Sequence, residues 1–165
     1  MSAKNRQVLA QLSGRIEGIT RSMNEVAYNV VVLLLIRLNE VSPVGDPALW
    51  KPYKSGKPRK APPGYRGGQF RGNWQIGIDA KPMGWLDGNI DPTGDSTVSK
   101  NISLIPTHAS RHSYYIQNNV PYAWRIEQGW STQAPRPMVG RVRREVPAML
   151  RSVVNEIKAQ GGRVR

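Results

Sequence analysis

The chain has 165 residues, 24 Lys and Arg against 11 Asp and Glu, a formal net charge of +13, and no cysteine. This length suits one domain with its own apolar core. The lack of cysteine excludes a disulfide framework and Cys-based zinc sites, and fits a reducing compartment. The surplus of cations favours acidic partners: nucleic acid, an anionic membrane, or acidic faces of other subunits.

Residues 2–41 predict one long helix. Leu12, Ile16, Ile19, Met23, Val26, Val30 and Leu33 recur at alternating spacings of four and three, one stripe of a helix and also the pattern of a coiled-coil seam. Ser2 is a candidate N-cap, and the Ser42/Pro43 step ends the helix because proline disfavours helical geometry in the residue before it. Gly14 and Gly18 weaken the first half. In the second half the apolar run Val30–Ile36 predicts a buried helix, being shorter than the ~20 residues of a membrane span. The first half is left open between the chain's own core and a neighbouring subunit. The N-terminus is polar and is not read as a secretory signal.

Residues 43–68 change character. Pro43, Pro47, Pro52, Pro58, Pro62 and Pro63 argue against regular structure, so a long extended arm is expected. Lys51, Lys54, Lys57, Arg59, Lys60, Arg66 and Arg71 follow one another with no acidic residue between them. Phe70–Asp79 then reads as a strand, with Trp74, Ile76 and Ile78 alternating. Residues 80–90 read as a connection. Asp91–Ile105 reads as a short helix capped by Asp91, with Val98, Ile102 and Ile105 on one face. His112–Asn118 reads as a second strand, with Asn118 and Asn119 as a turn. Tyr122–Gln128 makes about two helical turns stopped by Gly129. Met138–Gln160 is a helix that Pro147 kinks or breaks, and 161–165 a frayed basic tail.

Two stretches resemble a known family. The first is Val41, Ser42, Pro43 and Val44, resumed at Gly68-Gln69-Phe70-Arg71-Gly72-Asn73-Trp74. The second runs from Tyr115 through N-N-V-P-Y-A (118–123), then E-Q-G-W-S-T-Q-A-P (127–135), to Met138 and Val139. They resemble the tail-completion and head–tail connection proteins of long-tailed bacteriophages, the group that includes the minor tail protein Z type of phage lambda. That family commonly carries T-P-V-D-T-G-R-F-R-x-N-W after a long helix. It then has a strand ending in N-N-x-P-Y-A, a short helix with x-E-x-G, and W-S-x-Q-A-P before a C-terminal helix. Here residues 45–67 split the first motif and its Asp-Thr pair is missing; the inserted stretch is assigned no counterpart in the family. Asp91-Pro92-Thr93-Gly94 resembles the start of the family's middle helix.

The resemblance implies an α+β domain over residues 1–160, with the two long helices on a small, mostly antiparallel sheet and 43–68 as an inserted basic arm. It also implies a structural virion protein without enzymatic activity or cofactor, assembled in the host bacterial cytoplasm and resident in the neck at the top of the tail. There a ring of six copies would join the connector or stopper to the tail terminator or tail tube. DNA would make only transient contact, and no membrane is involved. Asn118, Asn119, Pro121, Tyr122, Glu127 and Gly129 are expected to shape the backbone, with Glu127 bonding amides or a basic residue. Trp130 is open between core and subunit interface. The arm residues Lys51, Lys54, Lys57, Arg59, Lys60 and Arg66, with Arg141, Arg143 and Arg144, are the candidate partner surface.

Catalytic patterns are scarce. His108 and His112 are four apart, but Arg111 intervenes and no carboxylate accompanies them at ligand spacing. Asp87, Asp91 and Asp95 are interrupted by Gly88 and Pro92 and do not make a calcium loop. The glycines at 64, 67 and 68 lack the lysine and helix of a phosphate loop. A competing reading is nucleic-acid binding by residues 64–74, where Tyr65, Phe70 and Trp74 interleave with Arg66 and Arg71 to stack on bases and neutralise phosphates. Against it, the alternation into Ile76 and Ile78 explains the aromatics as a strand's core face.

Overall fold

In the computed structural model, which describes residues 3–134 and 137–160, an α+β arrangement is built around α1 (Ala3–Glu40) and α5 (Met138–Ala159), which pack on each other. Between them come α2 (Gln69–Gly72), β1 (Trp74–Ile78), α3 (Asp95–Ile102), β2 (Tyr114–Asn118) and α4 (Ala123–Glu127). Short 3-10 turns lie at Pro47–Leu49 and Ala109–Arg111. The expected cap Ser2 and the basic tail 161–165 lie outside the described residues.

The two strands pair antiparallel with Trp74 opposite Asn118, Ile76 opposite Ile116 and Ile78 opposite Tyr114. This places Ile76 and Ile116 side by side on the core face. The other edge of β1 is served by a side chain. Asn101 on α3 accepts the Ile76 amide through Oδ1 at 2.8 Å and donates Nδ2 to the Trp74 and Thr97 carbonyls. One buried asparagine thus satisfies groups that a third strand would otherwise pair.

Two apolar clusters fill the interior. Val31 and Leu35 of α1 meet Ile76, Ile105 and Ala109; Leu38 meets Phe70, Trp74, Val120, Ala134, Met138 and Val142. By length and composition α1 is long and apolar enough to cross a membrane. Its Val31, Leu35 and Leu38 are nevertheless buried in the protein's own core, and Arg37 is held by Glu145 of α5 through Nε at 2.7 Å and the second amino group at 3.2 Å.

Several expected boundaries move. The first strand begins at Trp74, because Gln69–Gly72 closes a helical turn first, and the second begins at Tyr114. The arm is not wholly irregular: Pro47–Leu49 makes a turn capped by Asp46. α3 begins at Asp95, four residues after Asp91. Its buried face carries Thr97 and Asn101; Val98 and Ile102 are only half-buried. The polar face turns inward because its groups find partners there. The second half of α1 is not buried all round, for Leu33 and Ile36 remain exposed. Pro147 lies within α5 without ending it, on a solvent-exposed position where a carbonyl left without its intrahelical partner meets water.

Candidate assembly surface

The split motif is whole in space. The Gly68 amide donates to the Val44 carbonyl, so the residues on either side of the insertion are bonded neighbours. Around this closure, Arg71 donates to the carbonyls of Ser42 at 3.0 Å and Pro92 at 2.8 Å. The indole Nε1 of Trp74 reaches Ser42 Oγ at 2.8 Å, in the interior. Asn73 is fully buried; it donates to the Gln69 and Leu86 carbonyls and accepts the Leu86 amide. Gly94 completes the junction at φ +86, where a Cβ would overlap the Asn39 side chain.

The insertion is therefore a closed loop rather than a loose arm. Its stem is held by Tyr65, whose hydroxyl donates to the Gly45 carbonyl at 2.9 Å and whose ring meets Trp50 edge-on at 5.0 Å. It is also stapled to the second resembling stretch. Gln133 Oε1 accepts the amides of Gly45 and Asp46, Gln133 Nε2 donates to the Asp46 carbonyl, and Thr132 Oγ1 donates to the Leu49 carbonyl. The tip turns at Tyr53–Lys57 through paired backbone bonds, with the Arg59 guanidinium 4.9 Å from the Tyr53 ring centre. Lys51, Lys54, Lys57, Arg59, Lys60 and Arg66 are all exposed. Outward cations on a tethered loop form a field suited to an acidic surface.

The second stretch is backbone carpentry. Asn118 Nδ2 donates to the Phe70 carbonyl at 2.7 Å, and Asn119 Nδ2 to the Pro82 carbonyl at 3.0 Å. Pro121 opens the turn into α4, and Tyr122 packs beside Phe70. Gly129, at φ +74, ends α4: its own amide reaches the Ile126 carbonyl and the Trp130 amide the Arg125 carbonyl, the paired bonds of a Schellman stop. Glu127 reaches forward to α5. Its carboxylate accepts the amides of Met138 at 2.9 Å, Val139 at 2.9 Å and Gly140 at 3.1 Å, three groups that the first helical turn leaves without partners.

This carpentry turns indoles outward. Trp130 is 66% exposed and is no core residue; Arg125 lies 5.7 Å from its ring centre. Trp124 on α4 is 71% exposed, a residue the sequence reading passed over because a short helix carries little periodicity. Leu49, whose carbonyl is bound by Thr132, is also exposed, at the stem of the basic loop. Large exposed aromatics beside an arginine are the residue types that carry binding energy at interfaces. On α5, Arg141, Arg143 and Arg144 are exposed; Arg141 also pairs with Glu145 at 3.2 Å.

Asp79 and His112 are structurally engaged. His112 Nδ1 lies 2.6 Å from Asp79 Oδ2, and this bond, with the Ser113 amide, holds the Asp79 carboxyl below its usual value. His108 stands apart from this pair, exposed at the start of the 109–111 turn. Among the described residues no three His, Cys, Asp or Glu side chains are grouped to hold a metal.

Compared with protein-family models, curated proteins and solved structures, the chain matches none.

Proposed function

We propose that this chain is a structural virion subunit of a long-tailed phage, a tail-completion protein that forms a ring in the neck, joins the head connector to the tail and lets DNA pass. The carrying observation is the use made of the N-N-V-P-Y-A…E-Q-G-W-S-T-Q-A-P string. Its asparagines, Gly129 and Glu127 bond backbone, Gln133 and Thr132 anchor the basic loop, and Trp130 is left outward. A string that serves to present a surface fits assembly better than turnover. The role is mechanical: neighbours in a cyclic ring meet through heterologous faces, and the loop's cations clasp an acidic face of an adjoining neck protein. Electron cryomicroscopy of complete particles, with symmetry relaxed at the head–tail joint, tests this directly. Ring density for the chain at the joint supports it, and absence of the chain from complete particles overturns it.

The nucleic-acid reading of residues 64–74 loses two of its three aromatics. Phe70 and Trp74 are buried, Arg71 is bound to two carbonyls, and Tyr65 holds the loop stem. Phe70, Trp74 and Arg71 are thereby withdrawn from a nucleic acid, whereas Tyr65 is 40% exposed and Arg66 is exposed. What remains of that reading is this pair and the charge of the loop tip, which contributes sequence-independent and steeply salt-dependent attraction to phosphates.

A further inference from the structure

The strict four-three stripe of α1 is not the face that packs on the body. Core contacts are made by Val31, Leu35 and Leu38, about a quarter-turn away from the line through Leu12, Ile16, Ile19, Met23, Val26 and Val30. α1 therefore carries two apolar faces, and among the described residues the second has little cover along its first half. Val8, Leu9, Leu12, Ile16, Ile19 and Met23 are each between 50% and 62% exposed.

Farther along, the same stripe becomes the floor of an open groove of about 1070 Å³. On α1 it is lined by Ile19, Met23, Val26 and Val30 of the stripe together with Val31 of the core face, and α5 supplies Leu150, Val154 and Ile157. One continuous seam thus has a bare, projecting half and a walled half.

We propose that this seam is a self-association surface, on which a second copy of the chain lays its own α1 antiparallel. Three observations choose this occupant. A stripe repeating every three and four residues fits another helix with the same repeat, and α1 is itself such a helix. The halves are complementary: antiparallel pairing places the bare Leu9, Leu12 and Ile16 of each copy in the walled half of the other, whereas parallel pairing sets walls against walls. The stripe's large apolar side chains, each at least half exposed from Val8 to Met23, run on into the groove, so that both halves offer apolar surface to one partner helix.

The bare half needs such cover. Gly14 and Gly18 have open space around them and lower helix propensity, and a helix in water draws most of its stability from packing its apolar face. The pair is two-fold and isologous, a different contact from the heterologous ones that close a ring. It does not rest on the neck reading, and either can fail alone.

The test uses the full chain. Sedimentation velocity across a wide concentration range should show a monomer–dimer equilibrium. Ile16→Asp should weaken it at least ~100-fold by setting a charge in the seam, while thermal unfolding of the body, followed through the buried Trp74, stays unchanged. The milder Leu9→Asp should weaken it less. The chain has no cysteine, so a spin label at Leu12→Cys is unique; antiparallel pairing separates the two labels by more than about 15 Å, and parallel pairing by about 10 Å. A monomer at every concentration, an oligomer indifferent to Ile16→Asp, or the short label distance would each overturn the proposal.

Discussion

Trp74 donates its indole proton to Ser42 Oγ at 2.8 Å, across the 32 residues that contain the inserted loop. Ser42 Oγ in turn donates to the Leu38 carbonyl at 2.6 Å, so the end of α1, the loop closure and the first strand share one buried relay. Ser42→Ala leaves the indole N–H without a partner inside the core and should cost about 1–3 kcal/mol. Urea denaturation of Ser42→Ala, Trp74→Phe and the double variant measures the bond as a coupling. Strict additivity would show that the two residues act independently.

Asn101 does for β1 what a third strand would do. Asn101→Ala strips partners from the Ile76 amide and the Trp74 carbonyl, and a loss of at least about 2 kcal/mol is expected. Asn101→Asp keeps an acceptor for Ile76 but loses the donors to Trp74 and Thr97, so it too should destabilise. Hydrogen exchange at the Ile76 amide checks the contact itself: unchanged protection in the alanine variant would rule it out.

Glu127 caps α5 from another element. Glu127→Ala should cost about 1–2 kcal/mol and speed hydrogen exchange at Met138, Val139 and Gly140 selectively. Glu127→Gln, which retains an acceptor without the charge, should recover part of the loss. An effect spread evenly along α5 would argue against a local cap.

Asp91 introduces a pH dependence. Burial opposes ionisation of its carboxyl, but bonds from the Thr97 hydroxyl and amide and from the Gly94 amide prevail and hold it below the ordinary value. A carboxyl depressed on folding contributes stability above its unfolded pKa, and loses it as pH falls through the folded one. The stability gap between the parent and Asp91→Asn should therefore be constant above about pH 5 and shrink below about pH 4. A gap that persists unchanged into acid would mean that the carboxylate's charge is not what matters.

Trp130 separates folding from assembly. Its ring is largely solvent-exposed, so Trp130→Ala should change the stability of the isolated chain by no more than about 0.5 kcal/mol. On the proposed neck role, the same variant should fail to enter particles in a complementation assay. Normal incorporation would remove Trp130 from the assembly surface.

Local chemistry is legible in the sequence wherever cause and effect lie within a few residues. Ser42 and Pro43 end α1, Gly129 stops α4, and the alternation of Trp74, Ile76 and Ile78 makes a strand. The apolar spacing of α5 carries a helix past Pro147. Nothing in the sequence announces the pairing of Gln133 with Gly45 and Asp46, of Glu127 with the start of α5, or of Asn101 with β1. A polar side chain carries no mark of a distant partner, and these bonds form only when packing brings the elements together.

For the same reason the tertiary structure alone decided which apolar face of α1 is core. Periodicity marks a stripe as apolar, but whether the body or another molecule covers it depends on where β1 and α5 come to rest. By itself the sequence determined the two long helices, the stops of α1 and α4 and the basic charge of the inserted loop. The fold decided that this loop closes on itself, that Trp124 and Trp130 face outward, and that the first half of the α1 stripe stays exposed.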